Sequence, residues 1–161
     1  MLSHFVPGCW ATCSGLTAGC LRQLGRRMKL LAMPFEQDLA ATRKLAEALF
    51  LLDAELSGLV LAEDRGWLKA GQVERLEQVV AEHARLSATV MAELTKLGAW
   101  YAEPWRAFVA ESMARLQALA RSNDVERFAA GDVLYTWERF ARGEPTDGVP
   151  VKFARLLRLL R

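Results

Sequence analysis

The chain has 161 residues, 52% hydrophobic and 25% charged, with a net charge of +2. Such values describe an ordinary globular protein able to bury roughly 70% of its unfolded surface in one core. All three cysteines, Cys9, Cys13 and Cys20, fall within the first 20 residues, so no disulfide framework holds the remainder.

The charge is unevenly placed. Residues 1–33 carry Arg22, Arg26, Arg27 and Lys29 and no acid, whereas residues 34–64 hold seven acids against two bases. The mildly basic balance therefore comes from the N-terminal segment and is poor support for nucleic-acid binding by the body. That segment fails the tests for export. Its basic residues follow its apolar stretch instead of preceding it, and Phe5–Leu21 is 17 residues long and diluted by Pro7, Gly8, Gly15 and Gly19. The box Leu16–Cys20 carries Thr17 where a lipoprotein signal prefers leucine. After Arg26–Arg27 only a short apolar run precedes Pro34 and a group of acids. Residues 1–32 read as a leader, either poorly ordered or a non-native extension, with Met28 and Met33 as alternative starts. Cys9, Cys13, Cys20 and His4 lack the second ligand pair that a structural zinc site needs, so no metal is expected.

The body, residues 33–161, reads as a single helical-bundle domain. Pro34 suits the first turn of a helix, with Glu36 and Asp38 complementing its positive end. Leu45, Leu49, Leu52, Leu56 and Leu59 form its stripe, and the helix is expected to end at Asp64. Phe50 and Leu61 lie off that stripe, separated by the small residues Ala54 and Ser57. This far side is either covered by later helices or offered to a partner chain.

Gly66 and Gly71 bracket a connection in which Trp67 and Leu68 are expected to cover the end of the core. The second helix spans Gln72–Leu97 with no proline or glycine inside it. Val73, Leu76, Val80, His83, Ser87, Val90, Leu94 and Leu97 follow at alternating threes and fours, which predicts one buried stripe. The short connection predicts an antiparallel hairpin. His83 in the stripe reads as a structural histidine, partly solvated or paired with an acid, Asp53 being the acid available on the facing helix.

Gly98 is expected to cap the second helix and Pro104 to open a third, with Trp105, Phe108, Val109, Ser112, Leu116 and Leu119 inward. Asn123 and Glu126 have capping-box spacing ahead of a short helix to Ala130. Gly131–Asp132 reads as a stop and a new start for another, with Val133, Trp137 and Phe140 aligned. After the turn-rich segment Gly143–Pro150 comes a basic amphipathic helix. Its apolar face is Phe153, Leu156, Leu157 and Leu160, and Lys152, Arg155, Arg158 and Arg161 form its basic surface. That helix either binds an acidic partner or docks on its own bundle with its cations in water.

Two stretches resemble known families. Trp137–Leu160 is similar to the tail of repressor-type helix-turn-helix domains, with a Trp-Glu and a Gly ahead of a Pro and a leucine-rich helix. The tight helix pair that precedes such a tail is not recognisable, so no DNA-contacting residue is carried over. Ala70–Leu86, following an acid-rich helix, is similar to the hairpins of bacterial flagellar and type III export chaperones. The second likeness implies protein binding, the first nucleic-acid binding, and neither assigns a family.

The sequence contains no G-x-S-x-G nucleophile motif, no G-x-G-x-x-G and no P-loop. The expectation is an all-α protein, a long antiparallel helical hairpin with three or four shorter helices packed as a bundle. Its expected function is non-enzymatic and cytoplasmic: an adaptor, chaperone or assembly subunit that binds another protein or a second copy of itself, without cofactor or membrane span. The candidate contact residues are Phe50, Ala54, Ser57 and Leu61. The alternative is a nucleic-acid-binding regulator or a helical subunit of a ribonucleoprotein, for which Arg115, Arg121, Arg155 and Arg158 would have to converge.

Overall fold

The computed structural model describes residues 18–161 except 123 and 145, with side chains described from residue 34 onward apart from 124–126, 128 and 129. Five helices account for nearly all of it: α1 Ala18–Asp64, α2 Ala70–Trp100, α3 Ala102–Ser122, α4 Asp124–Ala141 and α5 Val149–Leu159. No strand occurs among the described residues. The chain divides into two units, Met1–Pro34 and Phe35–Arg161, and the second contains the core described below. Cys9, Cys13 and the Asn123 cap lie outside the described residues, as does most of the expected leader.

Helix boundaries differ from the sequence reading where proline and glycine were taken as punctuation. Pro34 stands inside α1 and not at its start. Residues 18–33 are mostly Leu, Arg, Lys, Met and Ala, all good helix formers, and one missing backbone donor does not stop them. Gly98 lies within α2, which runs on to Trp100, leaving Tyr101 as the sole residue between α2 and α3. Gly131 is likewise internal, and α4 is one helix where two short ones were expected. The stops that do hold are left-handed glycines. Gly66, at φ 67°, closes α1 with Trp67 N–H donating to Ala62 O at 2.8 Å and Gly66 N–H to Glu63 O at 2.9 Å. Gly143, at φ 73°, closes α4 in the same way, with Glu144 N–H donating to Arg139 O at 3.0 Å. Both are Schellman arrangements, in which a residue without Cβ takes the αL position.

The core is assembled from all five helices. Phe35, Leu39, Ala46 and Leu49 enter from α1, and Val90, Leu94 and Leu97 from α2. Trp105, Val109 and Leu116 enter from α3, Val133 and Trp137 from α4, and Phe153 and Leu156 from α5. Aromatic rings occupy its centre: Trp137 stacks on Phe153 with centroids 5.6 Å apart and planes 17° apart, and meets Trp105 edge-on at 5.8 Å. At one margin the Phe35 ring packs edge-on against Tyr101, whose hydroxyl donates to Asp38 at 2.6 Å. That carboxylate raises the Tyr101 phenol above its ordinary range.

This core stops part-way along α1 and α2. Beyond Leu49 no α1 side chain is fully buried, and Leu52, Leu56 and Leu59 are only half-buried. On α2 the stripe predicted from sequence turns out of register. Leu76, Val90, Leu94 and Leu97 are buried as expected, but Val80 and Val73 are 50% and 46% exposed, and Val79 is buried in their place. The physical reason is helical drift. A strict 3–4 alternation has a period of 3.5, while a straight α-helix turns once in 3.6 residues and so slips about 20° per heptad. Between Val73 and Leu97 the slip reaches roughly 70°. The expectation that Trp67 covers the core also fails. It is 65% exposed, with the Arg65 guanidinium 4.9 Å from its ring centroid.

Candidate functional site

Arg155 and Arg158 on α5, and Arg161 just beyond its end, meet three residues at successive turns of α1, in reverse order. Arg155 donates from Nη2 to Asp53 Oδ2 at 3.1 Å. The Arg158 guanidinium lies over the Phe50 ring, 4.8 Å from its centroid. Arg161 pairs with Glu47. The spacing i, i+3, i+6 on one helix against i, i−3, i−6 on the other keeps all three rungs on facing stripes. The opposite face of α5 carries Phe153 and Leu156 into the core, so apolar burial seats this helix and the cations dress its edge.

The first rung is shared. His83 Nε2 lies 3.4 Å from Asp53 Oδ1, joining α2 to the α1–α5 contact. The His83 and Asp53 side chains are 19% and 17% exposed. Ser87 Oγ, one turn further along α2, is buried without a hydrogen-bond partner. Lys152 pairs with Asp132 on α4 and Arg115 donates to the Leu160 carbonyl. Burial and the neighbouring Arg155 hold the Lys152 ammonium below its ordinary range.

A cleft of about 530 Å³ opens along this contact, lined by Glu47, Phe50, Leu51, Ala154, Leu157, Arg158 and Arg161. Of its charged groups, Glu47 and Arg161 pair with each other and Arg158 lies over the Phe50 ring. No group of three His, Cys, Asp or Glu residues that could hold a metal occurs among the described residues. No described helix is long and apolar enough to cross a membrane.

The candidate contact residues divide into two groups. Phe50 is half-buried beneath Arg158, packed against the core. Ala54, Ser57 and Leu61, further along α1 than the Arg155 contact, are exposed. The proposed basic surface is largely engaged internally: Lys152, Arg155 and Arg161 each pair with a carboxylate and Arg158 with a ring. Sequence reasoning passed over Val60 and placed Val73 and Val80 in the buried stripe, but all three are exposed. The signal available for them was the drift of the 3.5-residue stripe. No protein-family model, curated protein or solved structure matches the chain.

Proposed function

We propose that the protein is a non-enzymatic protein-binding module, built on an antiparallel hairpin of α1 and α2 and acting in the cytoplasm as an adaptor, chaperone or assembly subunit. The hairpin reading rests on two cross-links, Asp53 with His83 and Glu55 with Arg75 at 2.7 Å, in which rising numbers on α1 meet falling numbers on α2. The observation that carries the functional reading is the placement of exposed apolar side chains. Of the exposed large apolar side chains among the described residues, Val60, Leu61, Trp67, Val73 and Val80 stand on the stretch of α1, α2 and their connection that the core does not reach, and Leu51, Trp100 and Tyr135 stand elsewhere. Isolated exposed apolar residues are ordinary, but a concentration of them on one element is the mark of an interaction surface.

The nucleic-acid alternative draws less support. It needs free cations converging on one face, and those of α5 are bound to Asp53, Glu47, Asp132 and Phe50. Affinity capture with the full chain tests the choice. A protein retained by the wild type and lost with Leu61→Asp/Val80→Asp supports the module. Retention of nuclease-sensitive material that the double variant leaves intact overturns it.

A further inference from the structure

We propose that the open end of α1 and α2 is a docking groove for a basic amphipathic helix of another protein, an inference that rests on the protein-binding reading. The groove lies on the part of α1 beyond its Asp53–Arg155 contact with α5. From Asp53, where α5 makes its first rung, the same line of α1 continues through Ser57, Val60 and Asp64 at steps of four, three and four. Leu61 stands beside that line. Val60 and Leu61 are 39% and 49% exposed, and Ser57 and Asp64 are exposed too. On α2, the line of His83 continues two turns back to Leu76, flanked by the exposed Val80 and Val73. Residues 54–64 offer about 16 Å of helix, enough for roughly three turns of a partner.

Charge selects the occupant. Residues 54–82 contain six acids, Glu55, Glu63, Asp64, Glu74, Glu77 and Glu82, against Arg65, Lys69 and Arg75, a net −3. Asp64 and Glu77 have the helical phase of the groove's two walls. A second copy would bring the same net charge to the contact and be repelled. The chain's own basic helix is already committed, since Phe153 and Leu156 are fully buried. What fits is a foreign helix with an apolar face and Lys or Arg at its margins, repeating on Asp64 and Glu77 what α5 does on Asp53 and Glu47.

The test uses the full chain and two fluorescein-labelled 18-residue peptides with one apolar pattern, a Leu/Arg helix and a Leu/Glu helix, read by anisotropy. The expected result is at least tenfold tighter binding of the Leu/Arg peptide. Leu61→Asp/Val80→Asp should weaken it at least tenfold and Asp64→Lys/Glu77→Lys should reverse the preference, with helical circular dichroism unchanged in both. Glu111→Lys on α3, exposed and beside Arg43 and Glu47 of α1, outside residues 54–82, should leave binding as it was. If Glu111→Lys weakens binding as much as the groove variants, the attraction is diffuse and the proposal falls. If the Leu/Glu peptide binds better and loses affinity with Leu61→Asp/Val80→Asp, the groove binds proteins but the basic partner is overturned. If sedimentation shows a dimer that Leu61→Asp/Val80→Asp dissolves, the occupant is a second copy and the proposal falls.

Discussion

Asp53 faces two partners at once: its Oδ2 accepts from Arg155 at 3.1 Å, and its Oδ1 lies 3.4 Å from His83 Nε2. One carboxylate thereby ties α1 to both α2 and α5 at the place where the core ends. Removing a partly buried acid leaves Arg155, which donates to it, without its acceptor and counter-charge. Asp53→Ala should destabilise the protein by about 1–2 kcal/mol, and Asp53→Asn by nearly as much. Urea unfolding of both variants measures this, and an Asn variant equal to wild type would mean that the charge is irrelevant.

Leu94 and Val80 belong to one stripe by sequence and to different environments by structure. Leu94→Ala should cost about 2–5 kcal/mol, the range for a buried leucine. Val80→Ala should stay within about 0.5 kcal/mol, as for a surface change. Paired denaturation curves decide whether the drift along α2 is real in solution, because equal costs would restore the unbroken stripe.

Phe153 is stacked on Trp137 and fully buried, so α5 is a structural member of the bundle. Phe153→Ala should cost about 3–5 kcal/mol. Arg158→Ala, which removes only a cation over Phe50 at an exposed site, should cost about 0.5–1 kcal/mol. A thermal melt in which the two losses match would contradict the division of α5 into a buried face and a dressed edge.

Gly131 sits inside α4 with nothing within 4 Å of where a Cβ would stand. Its backbone is helical, so the flexibility of glycine is only a cost there. Gly131→Ala should raise stability by about 0.5–1 kcal/mol, visible as a higher Tm. A fall in Tm would show that α4 breaks at this residue after all.

Glu55 accepts two hydrogen bonds from Arg75, at 2.7 and 2.8 Å, which hold its carboxyl below the ordinary value of 4.5. A depressed acid contributes stability that is present above the unfolded pKa and is lost as pH falls through the folded one. The loss therefore begins below about pH 5 and is complete once the folded carboxyl is protonated. Glu55→Gln should flatten that part of the Tm-versus-pH curve and leave the neutral region nearly unchanged, since the pair is exposed.

By itself the sequence determined the helices and their inward faces wherever period and chemistry agreed. Leu49, Leu94, Trp105, Leu116, Trp137 and Phe153 were legible as core because each recurs at helical spacing among polar neighbours. Asp64 was legible as the end of α1 because Gly66 follows it and αL geometry favours glycine. Gly98 and Gly131 misled, since glycine inside a helix costs only about 1 kcal/mol and packing on both sides outweighs it. Tertiary structure alone decided where the core ends. Nothing local distinguishes Val80 from Val90, and their environments differ because α3, α4 and α5 are too short to cover the whole of α1 and α2. It also decided the fate of the basic helix: whether Arg155, Arg158 and Arg161 face water or α1 depends on where Asp53, Phe50 and Glu47 arrive, about 100 residues earlier in the chain. Pairings at that separation leave no mark on local periodicity, because each helix satisfies its own backbone whatever it packs against.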